Sequence, residues 1–194
     1  LTCIMELYKL PKSLNRKQIY SSDWLDLNLD KVLLSSGKII NDYHVIESKF
    51  DSVVILMLNE NEEICFIKSP RYTTQTIELE LPAGGISKDE TIEEAGVREV
   101  LEETGFQLKN AKHIYSFHPS NSISNQKSHI IFGSCDSKMK IKPFDTDEVY
   151  EVIWLNAIQV KEHIKKNEIK DGYALISLLY YFAFIINDGL FEVN

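Results

Sequence analysis

Glu99, Glu102 and Glu103 occupy i, i+3 and i+4 in the run Arg98-Glu99-Val100-Leu101-Glu102-Glu103, so a helix there places three carboxylates on one face about a turn apart. Like charges at that spacing repel, and a hard divalent cation held by oxygen ligands removes the penalty. The alternative is a solvated acidic helix with internal pairs such as Arg98 with Glu94 or Glu102. The helix itself is well signalled. Thr91 and Glu94 have the form of a capping box, Asp89 and Glu90 add negative charge near the positive end, and Gly105 suits the stop. Ile92, Val97, Val100, Leu101 and Thr104 form an apolar stripe that can lie on a sheet. Gly96 within it costs about 1 kcal/mol relative to Ala, which a close approach by another backbone would justify. Ahead of the helix, Leu81-Pro82-Ala83-Gly84-Gly85 reads as a strand end and a tight loop. Such a loop can aim a backbone carbonyl at the same metal.

The longer spacing separates the two readings. Gly84, five residues, Glu90, seven residues, then Arg98-Glu99-Val100, one residue, Glu102-Glu103, one residue, Gly105-Phe106 resembles the complete box of the Nudix family. Val100 and Phe106 fill its bulky apolar positions. The resemblance covers roughly residues 43 to 194 and implies an α/β fold, an α/β/α sandwich around a mixed sheet. Residues 1–42 then form an N-terminal β-elaboration, either a cover for the core or a dimerisation arm, ahead of a hydrolase domain over 43–194.

Outside the box the chain looks like the ADP-ribose pyrophosphatase branch of that family. Glu80-Leu81-Pro82-Ala83-Gly84 is similar to its E-L-P-A-G, and Lys68-Ser69-Pro70-Arg71-Tyr72 resembles its strand ending in Q-Y-R-Y. Lys170-Asp171-Gly172 with Ala174-Leu175 is similar to its pattern before the last helix. The branch implies hydrolysis of the pyrophosphate bond in a nucleoside diphosphate linked to a sugar, with ADP-ribose giving AMP and ribose 5-phosphate. It implies Mg²⁺, with Mn²⁺ able to substitute, held by Glu99, Glu103, Glu102 (as ligand or base) and the Ala83 carbonyl. Arg98 orients the glutamates, with Glu90 its expected partner. Arg71 contacts phosphate or sugar, or is a surface cation; Glu80 reaches a metal-bound water or the base, or is a strand-end surface charge.

In this branch a general base often comes from the loop occupied here by Asp145, Asp147 and Glu148. A second loop, Pro119 and Ser120 to Gln126, matches a substrate-contacting segment but departs from it, with Asn121 for proline, Ser122 for glycine and Gln126 for glutamate. An amide neither ionises nor takes a proton at neutral pH, so Gln126 is better read as a substrate contact than as a ligand or base. The resemblance leaves open a nucleotide-hexose pyrophosphatase of the UDP-glucose or GDP-mannose type. It also leaves open a ligand-sensing or interaction module, although such modules usually lose box carboxylates.

Charge and cysteine use narrow the partners. The formal net charge is −8, which argues against a nucleic-acid polymer as partner, since phosphate binding rests on clustered cations, and leaves room for the small-molecule nucleotide sugar that the resemblance implies. Cys3, Cys65 and Cys135 are odd in number and scattered, so a reducing cytoplasm is expected. The histidines show no H-x3-H pair and read as scattered structural or surface residues. No charged segment leading into an apolar run and cleavage site is seen. The apolar run over residues 173–186 is short for a bilayer span.

Strands are expected over residues 24–34, 39–46, 53–58, 64–67, 76–81, 111–118, 129–133 and 149–155, and helices over 157–166 and 173–186. The last is apolar nearly all round and suits burial on the sheet or in a subunit interface. The branch resemblance and the alternating leucines near Trp24 together suggest a homodimer.

Overall fold

The computed structural model describes residues 9–186, which fall into two compact units. One holds the residues up to Phe50 together with Ser120–Gln126; the other holds Asp51–Pro119 and the residues from Lys127 onward.

In the first unit, β1 (Lys12–Ser21), β2 (Leu25–Leu33) and β3 (Ile39–Ser48) form an antiparallel meander in that order. β3 runs across position 42, and the unit extends to Phe50. Arg16 locks the three strands. Its Nε and Nη2 each donate to one Asp30 carboxylate oxygen at 2.8 Å, and its Nη1 donates to Glu47 at 2.6 Å. The segment Ser120–Gln126 is fastened to β3. Ile46 N donates to the Ile123 carbonyl at 2.8 Å, Ser48 N to Asn125 Oδ1 at 2.9 Å, and the Tyr43 hydroxyl to the Ser122 carbonyl at 2.6 Å.

The second unit contains β4 (Ser52–Leu58), β5 (Ile64–Arg71), β6 (Thr76–Glu80), β7 (Ala83–Gly85), α1 (Ile92–Thr104), β8 (Lys109–Phe117), β9 (Ser128–Ser134) and β10 (Glu151–Leu155). Then come α2 (Ala157–Lys165) and α3 (Gly172–Tyr180), which continues as a wider π-type turn over Tyr181–Ile185. The sheet order is β10-β5-β4-β9-β8, with β6 on β5 and β7 on β4. Only the β4–β9 pair among these is parallel, so the sheet is mixed.

β4 lies between two apolar layers. Val53, Ile55 and Met57 pack with Ala95 and Val100 of α1 and with Ile131 of β9. Val54, Leu56 and Leu58 turn the other way, toward Val160 of α2 and Ala174, Leu178 and Tyr181 at the C-terminal end. A strand covered on both faces shows a continuous apolar run in place of alternation. The unit is therefore the expected α/β/α sandwich.

Gly96 sets how closely α1 lies on β9: a Cβ there would sit 2.4 Å from Ile131 Cδ1. The close approach is to a side chain, not to the expected backbone. α3 is two-faced, with Ala174, Ser177 and Leu178 buried but Ile176 and Leu179 exposed. Among the described residues, no helix is long and apolar enough to cross a membrane.

Candidate active site

Both ends of α1 are fixed locally. Thr91 Oγ1 accepts from Glu94 N at 3.2 Å, while the Glu94 carboxylate accepts from Thr91 N at 2.8 Å. Gly105 adopts φ 77° at the C-terminal stop, where its N–H donates to Leu101 O at 3.1 Å. Held this way, α1 presents Glu99 and Glu103 to β7, and both are buried. A Cβ on Gly84 would lie 2.0 Å from Glu99 Oε1, so only glycine lets the two elements meet with that carboxylate between them. Glu103 Oε2 accepts from Ala83 N at 2.9 Å.

Burial makes these two carboxyls reluctant to ionise. It pushes Glu103 up to about 8, against the hydrogen bond from Ala83 N, with Glu99 and Glu148 adding like charge. Glu99 is also raised, first by burial, with Arg98 opposing.

Arg98 organises the rest of the cluster. Its Nε and Nη2 each meet one Glu90 carboxylate oxygen at 2.9 Å, and Nη2 also donates to the Gly85 carbonyl at 2.8 Å. Nη1 reaches Glu99 at 2.7 Å and Glu102 at 3.1 Å. The guanidinium therefore joins the turn before the helix to the helix itself. Glu102 shares this cluster at the exposed edge of α1.

Arg71 and Glu80 form a forked pair across the β5–β6 hairpin, with Nε to Oε1 at 2.9 Å and Nη2 to Oε2 closer still. Glu80 is only 6% exposed, so it is a buried partner of Arg71 rather than a strand-end surface charge. The hydrogen bond to Glu80 raises Arg71 above its usual range, and Glu103 and Asp171 add to the effect.

Asp171 did not figure among the sequence candidates. It caps α3 by accepting from Ala174 N at 2.7 Å, and burial, with Glu80 adding like charge, raises its carboxyl. Its position before Gly172 and an apolar run signals a helix cap, but nothing local signals the Arg71–Glu80 pair beside it.

The acids of the 145–148 loop have separate roles. Asp145 N donates to the Glu102 carbonyl at 2.9 Å, and its side chain accepts from Asp147 N at 2.9 Å. Glu148 acts electrostatically on both Glu99 and Glu103. Asp147 is exposed. Pro119 belongs to the second unit, whereas Ser120 and Gln126 belong to the first. Ser120 O accepts from Ile123 N and Ser124 N there, and Gln126 N donates to Ser124 Oγ at 3.2 Å.

Among the described residues, no three Asp, Glu, His or Cys side chains are grouped tightly enough to enclose a metal ion. Mg²⁺ needs no such cage, because it keeps several waters and takes one or two carboxylates together with substrate phosphate. The donor set fits that habit. Glu99 and Glu103 offer buried carboxylate oxygens whose charge a cation would offset, and Glu102 adds a carboxylate at the exposed edge of α1.

A family model described as NUDIX domain matches residues 49–176. The chain is 26% identical over 170 residues to an ADP-ribose pyrophosphatase of Bacillus subtilis (strain 168), covering 87% of this chain and 91% of that protein. It shows the same identity and coverage with a methanol dehydrogenase activator of Bacillus methanolicus. Its fold is similar to the crystal structure of an ADP compounds hydrolase, with a TM-score of 0.80, 16% identity, and coverage of 94% of this chain and 97% of the other.

Proposed function

The chain belongs to the NUDIX domain family, and on that premise we propose that it is a Mg²⁺-dependent pyrophosphohydrolase of nucleoside diphosphate sugars. ADP-ribose is its preferred substrate on this reading, split to AMP and ribose 5-phosphate in the cytoplasm. The carrying observation is the pair of buried carboxylates, Glu99 and Glu103, held by α1 against Ala83 and Gly84 of β7. Similarity to an ADP-ribose pyrophosphatase supports the choice of substrate.

When bound, Mg²⁺ neutralises phosphate charge and lowers the pKa of a coordinated water. Glu99 and Glu103 would hold it, with Glu102 a further ligand and the Ala83 carbonyl a fourth donor. Arg98 ties α1 to the preceding turn through Glu90 and Gly85 and so keeps the glutamates in place. Arg71, aimed by Glu80, binds a phosphate or sugar oxygen. Glu148 is the proposed acceptor of the attacking water's proton, its charge being felt at both Glu99 and Glu103.

A panel of ADP-ribose, UDP-glucose, GDP-mannose, dinucleoside polyphosphates and NADH with Mg²⁺ tests this directly. Fastest turnover is expected on ADP-ribose. A preference for a nucleotide hexose would move the chain to that substrate class. No hydrolysis of any conjugate would leave a binding module.

A further inference from the structure

β8 and β9 bring together a second set of chemistry-bearing side chains, none of them in the box. Ser116 and His129 face each other in the β8–β9 register. Three residues apart on a regular strand, His113 and Ser116 would point to opposite faces. A register shift between His113 and Tyr115 brings them to the same side, and Glu93 of α1 pins it by accepting from His113 N at 3.2 Å. Ser116 Oγ consequently lies 2.8 Å from His113 Nε2 and 2.8 Å from His129 Nδ1. His129 Nε2 stands 3.5 Å from Asp51 Oδ2. The other Asp51 oxygen accepts from Lys127 N at 3.0 Å.

These contacts place the protons. His113 Nε2 is also 3.0 Å from the Tyr115 carbonyl oxygen, which only accepts, so Nε2 carries a proton shared with Ser116 Oγ. Ser116 then sends its own proton to His129 Nδ1. His129 is left with its proton on Nε2, toward Asp51. The result is a directed imidazole–hydroxyl relay from Ser116 to His129, with the Asp51 carboxylate 3.5 Å beyond the far nitrogen, His129 itself buried and Ser116 at the surface.

We propose that Ser116 is an activated nucleophile that accepts an acyl group from small activated esters. His129 is its general base, Asp51 positions that base, and His113 stabilises charge at Oγ. Such a constellation is recognised by geometry and roles rather than by chain order. In the first step Oγ bonds to the carbonyl carbon as its proton passes to His129 Nδ1. The ester C–O bond then breaks, and the alcohol leaves with that proton. Water, deprotonated by the same nitrogen, attacks the acyl-serine to release the carboxylic acid and return the proton to Oγ.

The test is to treat the full chain with a fluorophosphonate probe, read adducts by intact mass and peptide mapping, and follow p-nitrophenyl acetate hydrolysis in parallel. One adduct is expected, on Ser116, and Ser116→Ala should abolish both signals while nucleotide hydrolysis by the box site continues. His129→Gln should slow labelling about 100-fold or more. Asp51→Asn should slow it about tenfold, with partial rescue by Asp51→Glu. No adduct on the folded wild-type chain overturns the proposal. So does labelling of Ser116 at an undiminished rate in both folded His129→Gln and Asp51→Asn.

Discussion

Glu103 is buried and is also a proposed metal ligand, and its neutral near-isostere separates the two. Glutamine keeps an oxygen to accept from Ala83 N but loses the charge that would hold a cation. Glu103→Gln is therefore expected to lower Mg²⁺-dependent turnover on the order of 10²–10⁴-fold with an unchanged circular dichroism spectrum. Near-normal activity would remove Glu103 from the metal site. The same variant has a stability signature. In the metal-free protein the Glu103 carboxyl titrates at about 8, above its ordinary 4.5, because burial disfavours its charge. A raised acid binds more protons in the folded state, so its contribution is fully present below about 4.5 and is lost as pH rises through about 8. Urea midpoints measured in chelator from pH 5 to 9 should show wild type losing stability relative to Glu103→Gln across that window. Parallel curves would mean that Glu103 is ionised throughout. The spacing of Glu99, Glu102 and Glu103 was legible because a helix converts sequence distance into a shared face. Glu80 was not, because its burial depends on Arg71 across a hairpin.

Among the elements, those covered on both faces were the easiest to read. β4 is an apolar run from Val53 to Leu58, β9 carries Ile130, Ile131 and Phe132 in succession, and α1 carries its own cap and stop. β1 left no such mark, since every residue along it is exposed and an edge strand with no buried face has no alternation to reveal. It is held instead by Arg16, whose partners Asp30 and Glu47 lie on other strands. The histidines also read as scattered, because a register shift in β8, invisible to spacing rules, brings two of them to one serine. The Arg16 hydrogen bond holds the buried Asp30 carboxyl below its ordinary 3.8. A depressed acid contributes stability that is present above that value and lost as pH falls through its folded pKa. Asp30→Asn should therefore destabilise the meander by about 1–2 kcal/mol at pH 7, discounted for the half-exposed guanidinium. The difference from wild type should shrink below about pH 4. Tryptophan fluorescence during urea titration would follow it through Trp24, and an Asp30→Asn midpoint equal to wild type at pH 7 would show that the fork contributes nothing.

At the scale of the whole molecule, the first unit exposes more apolar surface than an isolated meander accommodates easily. Leu14, Ile19 and Tyr20 of β1 are exposed, and Trp24 is 70% exposed although its ring meets Phe50 edge-on at 5.4 Å. β1 is also the edge of its sheet, and an unpaired edge carrying apolar side chains is a template for another chain. Such patches mark interaction sites, and a two-fold axis lets one patch cover its own copy. The outer face of α3, with Ile176, Leu179 and Phe184 exposed, is a second apolar surface, so the prediction must tell them apart. A dimer built through the first unit should sediment at about twice 22.4 kDa at micromolar concentration and become monomeric on Leu14→Lys with Ile19→Lys. These positions have no core to disturb, so the substituted chain should keep its far-ultraviolet spectrum. A wild-type monomer would end the dimer proposal. A dimer that survives both lysines but dissociates on Leu179→Lys would move the interface to α3.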